Sequence, residues 1–92
     1  MKKVSEHEDY VLKHESGMYY KACSWPQSPN DLLTPNALEA TRFSFKSLAE
    51  GVISYVNDAS PRWAGEIYLK EVCGKCKPRK VRVRTEFEEV EE

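Results

Sequence analysis

The 92-residue sequence has no run of about 18 apolar residues, which leaves no segment able to cross a membrane as a helix. Its first residues, Met1-Lys2-Lys3-Val4-Ser5-Glu6-His7-Glu8-Asp9, lack the apolar stretch of a secretion signal, so a cytoplasmic location and no membrane partner are expected. Catalytic signatures are missing as well. Two histidines, and no Gly-x-Ser-x-Gly, phosphate loop or His-Glu-x-x-His, leave no nucleophile and base to pair, and the chain is read as a non-enzyme. Cysteine is scarce and odd in number: Cys23, Cys73 and Cys76 do not suit a secreted disulfide framework and read better as reduced thiols or metal ligands. There is no internal repeat. Net charge is only −1 although 32% of residues are charged, so the total argues neither for nor against nucleic acid, and the distribution of charge has to decide.

What is present fits one domain, because independent cores typically take about 100 residues. The division expected is a flexible N-terminus over 1–8, a single α+β domain over 9–87 and an acidic tail over 88–92. Asp9–His14 and Met18–Cys23 flank Glu15-Ser16-Gly17 and predict a hairpin. Ser24-Trp25-Pro26-Gln27-Ser28-Pro29 is punctuated by proline and short polar residues, a loop continuing to Asn36. Thr41–Phe45 alternates large side chains as a short strand. Ser47-Leu48-Ala49-Glu50 has the capping-box form, and Leu48, Val52, Ile53 and Val56 then share one helical face, ended at Asn57–Pro61.

The last third reads as two strands, Glu66–Val72 and Arg79–Phe87, joined by Cys73–Pro78. Val81, Val83, Thr85 and Phe87 alternate with Arg82, Arg84 and Glu86, and Ile67 and Leu69 are the expected inward partners. That register puts Tyr68 and Lys70 outward beside Arg82 and Arg84. The whole predicts a mainly antiparallel sheet in the order β-β-β-α-β-β with one helix on one face. A free sheet edge leaves both a monomer and a homodimer open.

Tyr10-Val11-Leu12-Lys13, Gly17-Met18-Tyr19, the loop residue Trp25, and Ala40-Thr41-Arg42-Phe43 leading to Ser47 together resemble a group of small phage and prophage proteins. Those carry a Tyr-Val-Ile-Lys, Gly-Lys-Tyr, Trp, Ala-x-x-Phe, helix, strand layout. The likeness covers roughly residues 9 to 72. The chain departs from it in its long loop between Trp25 and Ala40 and in the extension from Cys73 to Glu92. What the resemblance implies is a β-β-β-α-β unit, with no established activity.

Three functions follow. The leading one is a phage-type accessory or inhibitory protein that binds a host or phage protein, with Trp25 as an apolar anchor if exposed; closure of Trp25, Leu32 and Leu33 over the core edge is the competing structural reading. The second is a nucleic-acid module: Lys75, Lys77, Arg79, Lys80, Arg82 and Arg84 run without an acid, and Tyr68 or Trp63 could stack on a base. Glu86, Glu88, Glu89, Glu91 and Glu92 follow at once and weaken that reading. The third is a zinc-stabilised structural domain, in which Cys73 and Cys76 take one ion and Cys23 with His14 or His7 completes four ligands; two thiols in a hairpin turn is the simpler reading of the same residues. No cofactor is otherwise expected.

Overall fold

The computed structural model describes residues 2–90. Its longest elements are the two strands nearest the chain ends. Strand β1 (Lys2–His14) and strand β4 (Cys76–Glu88) run antiparallel over their whole length, from Lys2 against Glu88 to His14 against Cys76. Beyond β1 lie two short strands, β2 (Tyr19–Tyr20) and β3 (Leu33–Thr34), giving an antiparallel sheet in the order β3-β2-β1-β4. Helices α1 (Lys46–Asp58) and α2 (Ala64–Cys73) complete the chain. The class is α+β with a mainly antiparallel sheet, as the sequence predicts.

Residues directly opposed in an antiparallel pair share a face. Leu12, Tyr20 and Cys76 therefore point to one side, and there they meet Ala49 and Val56 of α1 and Val72 and Cys73 of α2 in the core. On the other side Val11 is buried and Thr34 donates from Oγ1 to Glu39 Oε2 at 3.1 Å. The first hairpin turns at Gly17, whose φ of +92° is the left-handed region that glycine enters without a Cβ penalty. His14 N–H donates to the Met18 carbonyl at 2.8 Å and closes it.

The core occupies only one end. A chain of this length packed as a sphere would have a radius of gyration of about 12 Å, and the value is 15.9 Å with a longest dimension of 54 Å. The outer half of the β1–β4 ribbon, Lys3–Glu8 with Arg82–Phe87, accounts for the excess, since no other described strand flanks it.

Several expectations are corrected. Residues 2–8, read as a flexible lead, form the outer half of β1. Glu66–Val72 is not a strand but most of α2. Its buried positions are 65, 72 and 73 and its half-buried apolar side chains are Tyr68 and Leu69, the 3–4 spacing of a helix, while Ile67 faces out. The last strand thus has β1 as its partner, and the C-terminal hairpin does not exist. Val81 and Val83 are half-buried, whereas Phe87, expected inward, is exposed. Two helices, not one, pack on the sheet. The strand over Thr41–Phe45 reduces to a single bridge, with Tyr10 and Phe43 exchanging two 2.8 Å backbone bonds. Ser47 lies inside α1 rather than capping it, because the helix starts at Lys46. The buried stripe of α1 is accordingly Ala49, Val52, Ile53 and Val56, and Leu48 is exposed. The tail expected over 88–92 begins inside β4, and its last two residues lie outside those described. No described helix is long and apolar enough to cross a membrane.

Candidate functional site

The loop after β2 leaves the sheet held at both ends. Lys21 N–H donates to the Leu32 carbonyl at 3.0 Å, Ala22 N–H to Thr41 Oγ1 at 2.7 Å, and Gln27 N–H to Asp31 Oδ2 at 2.8 Å. Pro26 and Leu32 are buried and anchor it to the core side. Between these fixed points Trp25 projects outward and is 74% exposed. Leu32 closes over the core edge as the structural reading expects; Trp25 does not.

Trp25 is not isolated. Its ring stacks on that of Trp63 with centroids 5.1 Å apart and planes 27° from parallel. Trp63 immediately precedes α2, and its ring lies back over Gly65: a Cβ added there would come within 2.1 Å of Trp63 Cη2 and Cζ3. Glycine near the start of a helix is unfavourable against alanine, and the ring above it is the physical reason for its presence.

Beside the pair is a cavity of about 250 Å³, walled by Trp63, Pro26, Cys23, Leu69 and Glu66 and floored by Tyr20. Tyr20 is buried, and its hydroxyl is pushed up to about 12, first by burial and then by Cys73 and Cys76 nearby, so it stays protonated. Glu66 accepts from Arg62 Nε at 3.3 Å, which neutralises the one carboxylate of the wall. Nothing in the sequence joins the Trp pair to this cavity, because Trp63 is 38 positions from Trp25 and reads there as an aromatic that could stack on a base beside the basic strand.

The remaining expected site residues are distributed among several places. Tyr68 and Lys70 sit on α2, away from the last strand; Tyr68 packs against the core, and Lys70 Nζ donates to the Ala59 carbonyl at 3.2 Å, tying α2 to the end of α1. On the ribbon, Lys80 pairs with Glu8 at 3.1 Å, and Arg84 with Glu6 at 4.0 Å and Glu86 at 3.1 Å. Arg82 lies opposite Glu8 in the register. The continuous basic face expected from sequence is therefore interleaved with acids of β1. Lys75, Lys77 and Arg79 instead gather at the opposite end of the ribbon with Lys13 and His14.

Cys73 and Cys76 are in the core, and Cys76 Sγ donates to the Val72 carbonyl at 3.2 Å. Burial pushes Cys73 up to about 12, with Cys76 adding to it, and burial pushes Cys76 up to about 11, so both are thiols at neutral pH. His14 stands opposite Cys76 across β1 and β4. Cys23 is exposed at the wall of the tryptophan cavity, which neither of the other cysteines lines. Among the described residues no three His, Cys, Asp or Glu side chains are placed to hold one metal ion.

No protein-family model, curated protein or solved structure matches the chain. The site must therefore be judged on its own chemistry.

Proposed function

We propose that the protein is a non-enzymatic accessory protein that acts by binding another protein through the surface centred on Trp25 and Trp63. The observation that carries this reading is an indole 74% exposed to water yet held in a fixed stack, beside an apolar cavity. Exposed apolar area is unfavourable in water, and tryptophans in such positions are the residues that most often dominate binding energy at protein interfaces. Ile67, one turn beyond Trp63 on α2 and also exposed, continues the apolar strip.

The volume favours a side chain over a small molecule. About 250 Å³ is below the roughly 300–1,000 Å³ of sites that enclose a drug-sized ligand, but it suits one apolar anchor from a partner. With Glu66 neutralised by Arg62, the wall calls for no charge on that anchor. The resemblance of residues 9–72 to small phage proteins supports a phage-type role in which a host or phage protein in the cytoplasm is the target. The non-enzymatic part is supported by the two core thiols being protonated and by Glu66, the one carboxylate of the cavity wall, being bonded to Arg62 rather than to Cys23 or Ser24 beside it.

A displayed peptide library selected on the intact protein tests the reading. Enriched peptides are expected to share an apolar or aromatic residue and to lose affinity for Trp25→Ala and Trp63→Ala, while binding Leu38→Ala normally, since Leu38 is an equally exposed apolar residue elsewhere. Equal enrichment on wild-type protein and Trp25→Ala would rule the surface out.

A further inference from the structure

Where β1 turns into β2 and α2 turns into β4, the two turns enclose a concavity of about 520 Å³. Its walls carry Lys13, Lys75, Lys77 and Arg79, together with His14 and one carboxylate, Glu15. The turns are tied to each other: Glu15 N–H donates to the Lys75 carbonyl at 3.1 Å. The place is thus built by backbone contact between segments some 60 residues apart, and the cations are brought together by the fold rather than by one charged run.

The charge pairing along β4 stops abruptly there. Further out, Lys80 and Arg84 each have a carboxylate partner, and Arg82, without an ion pair within 4.0 Å among the described residues, stands opposite Glu8 in the register. Lys75, Lys77, Arg79 and Lys13 have none among the described residues, Lys13 having only the face of Tyr19 at 5.8 Å. Moreover Lys13 and Lys77 stand directly opposite each other, an arrangement of like charges that destabilises a strand pair. A protein that matches acid to base along the rest of one strand pair but sets lysine against lysine at its end has left room for an anion from outside.

His14 adds a further polar group. Its Nδ1 accepts from the Ser16 N–H at 3.1 Å and lies 2.8 Å from Ser16 Oγ, so Nε2 is the ring nitrogen left to meet a ligand. Four cations, an imidazole nitrogen and a volume within the range of nucleotide-sized ligands call for a ligand with more than one negative charge.

We infer that this end of the sheet is a binding site for consecutive phosphate groups, carried either by a nucleotide or by a single-stranded nucleic acid. It is separate from the tryptophan surface, whose cavity shares none of these residues. The inference also narrows the basic residues that take part, from the whole of the last strand to Lys75, Lys77 and Arg79, and it adds Lys13 and His14 from the first strand.

The test compares two double variants with the same change in net charge, Lys77→Gln/Arg79→Gln and Lys80→Gln/Arg84→Gln, using pyrophosphate, ATP and a fluorescent oligo-dT as probes. Loss of two charge-assisted contacts is expected to weaken binding at least about tenfold in the first variant, and the second is expected to stay within about twofold. Four phosphate contacts give a log–log salt slope near −2.8 for oligo-dT, halved in the first variant. Tightest binding of ATP identifies a nucleotide site and tightest binding of oligo-dT a strand site. Relief of the Lys13–Lys77 opposition should also raise the melting temperature of the first variant by about 1 °C or more, so its lost binding cannot come from unfolding. Binding of none of the three probes at low salt, or equal effects of the two variants, overturns the inference.

Discussion

Gly65→Ala separates the tryptophan surface from the stability of the fold. An alanine Cβ would sit 2.1 Å from the Trp63 ring, so the ring has to retreat by about 1.3 Å to reach even the closest ordinary contact of 3.4 Å. The shift opens the stack with Trp25, which as an aromatic pair contributes about 0.5–1.5 kcal/mol beyond buried area. Against that loss, alanine favours the helix by up to about 1 kcal/mol. The two terms nearly cancel, and the melting temperature should move by no more than about 4–8 °C in either direction. Partner affinity should not be spared: losing the geometry of a central anchor costs about 2 kcal/mol or more, roughly a 30-fold weaker complex. Gly51→Ala on α1 is the matched control, because its new Cβ meets nothing within 4 Å. It should gain stability and leave binding alone. The stack itself can be read from the exciton couplet of paired indoles in far-ultraviolet circular dichroism, expected in wild type and Gly51→Ala and lost in Gly65→Ala. A Gly65→Ala protein with the couplet and wild-type affinity would show that Trp63 does not need the space above residue 65, and the account of the site would fail.

Two further outcomes follow from the core and the ribbon. Cys73, Cys76 and Tyr20 hold their protons to about pH 12, 11 and 12 when folded, against ordinary values of 9.0, 9.0 and 10.0. Above pH 9 the unfolded chain therefore releases protons that the folded one retains, so stability is full below pH 9 and falls as pH rises towards 11–12. Two thiols together cost roughly 3 kcal/mol per pH unit in that window, enough to unfold a domain of about 5 kcal/mol near pH 11; circular dichroism unchanged to pH 11.5 would contradict it. On the ribbon, Glu6→Lys/Glu8→Lys sets cations against Lys80, Arg82 and Arg84. Amide exchange should accelerate at residues 3–9 and stay slow at the buried Leu12, and uniform protection in the double variant would mean that charge does not hold the ribbon closed.

The parts of the fold legible in sequence are those with local periodicity. The first hairpin is marked by β-rich segments around Gly17, and the alternation of Val81, Val83 and Thr85 with Arg82, Arg84 and Glu86 is the alternation of β4. In α2 two periods compete: Ile67-Tyr68-Leu69 has the composition of a strand, while positions 65, 68, 69, 72 and 73 have the spacing of a helix. The helix wins because that spacing brings Val72 and Cys73 to the core beside Leu12 and Val56. The tryptophan surface was half legible. Trp25 could be named as an anchor, but its stack with Trp63 depends on where α2 begins, and reading α2 as a strand removed that information.

The outer half of β1 shows why charge layout misleads when read along one strand. Lys3 to Glu8 has no apolar alternation, so nothing local marks it as β-structure. Its register is written in charge, with Glu6 against Arg84 and Glu8 between Lys80 and Arg82, and such a code is visible only when the two ends of the sequence are compared in opposite directions. Isolated exposed pairs of this kind are weak, yet a one-residue slip would put every one of them on the wrong face. They fix the alignment more than they stabilise it. The basic run of the last strand thus has two jobs that composition cannot distinguish. From Lys80 outward it specifies the partner strand within the chain. From Lys75 to Arg79, where β1 supplies Lys13 in place of an acid, it is left for an anion that the chain does not contain.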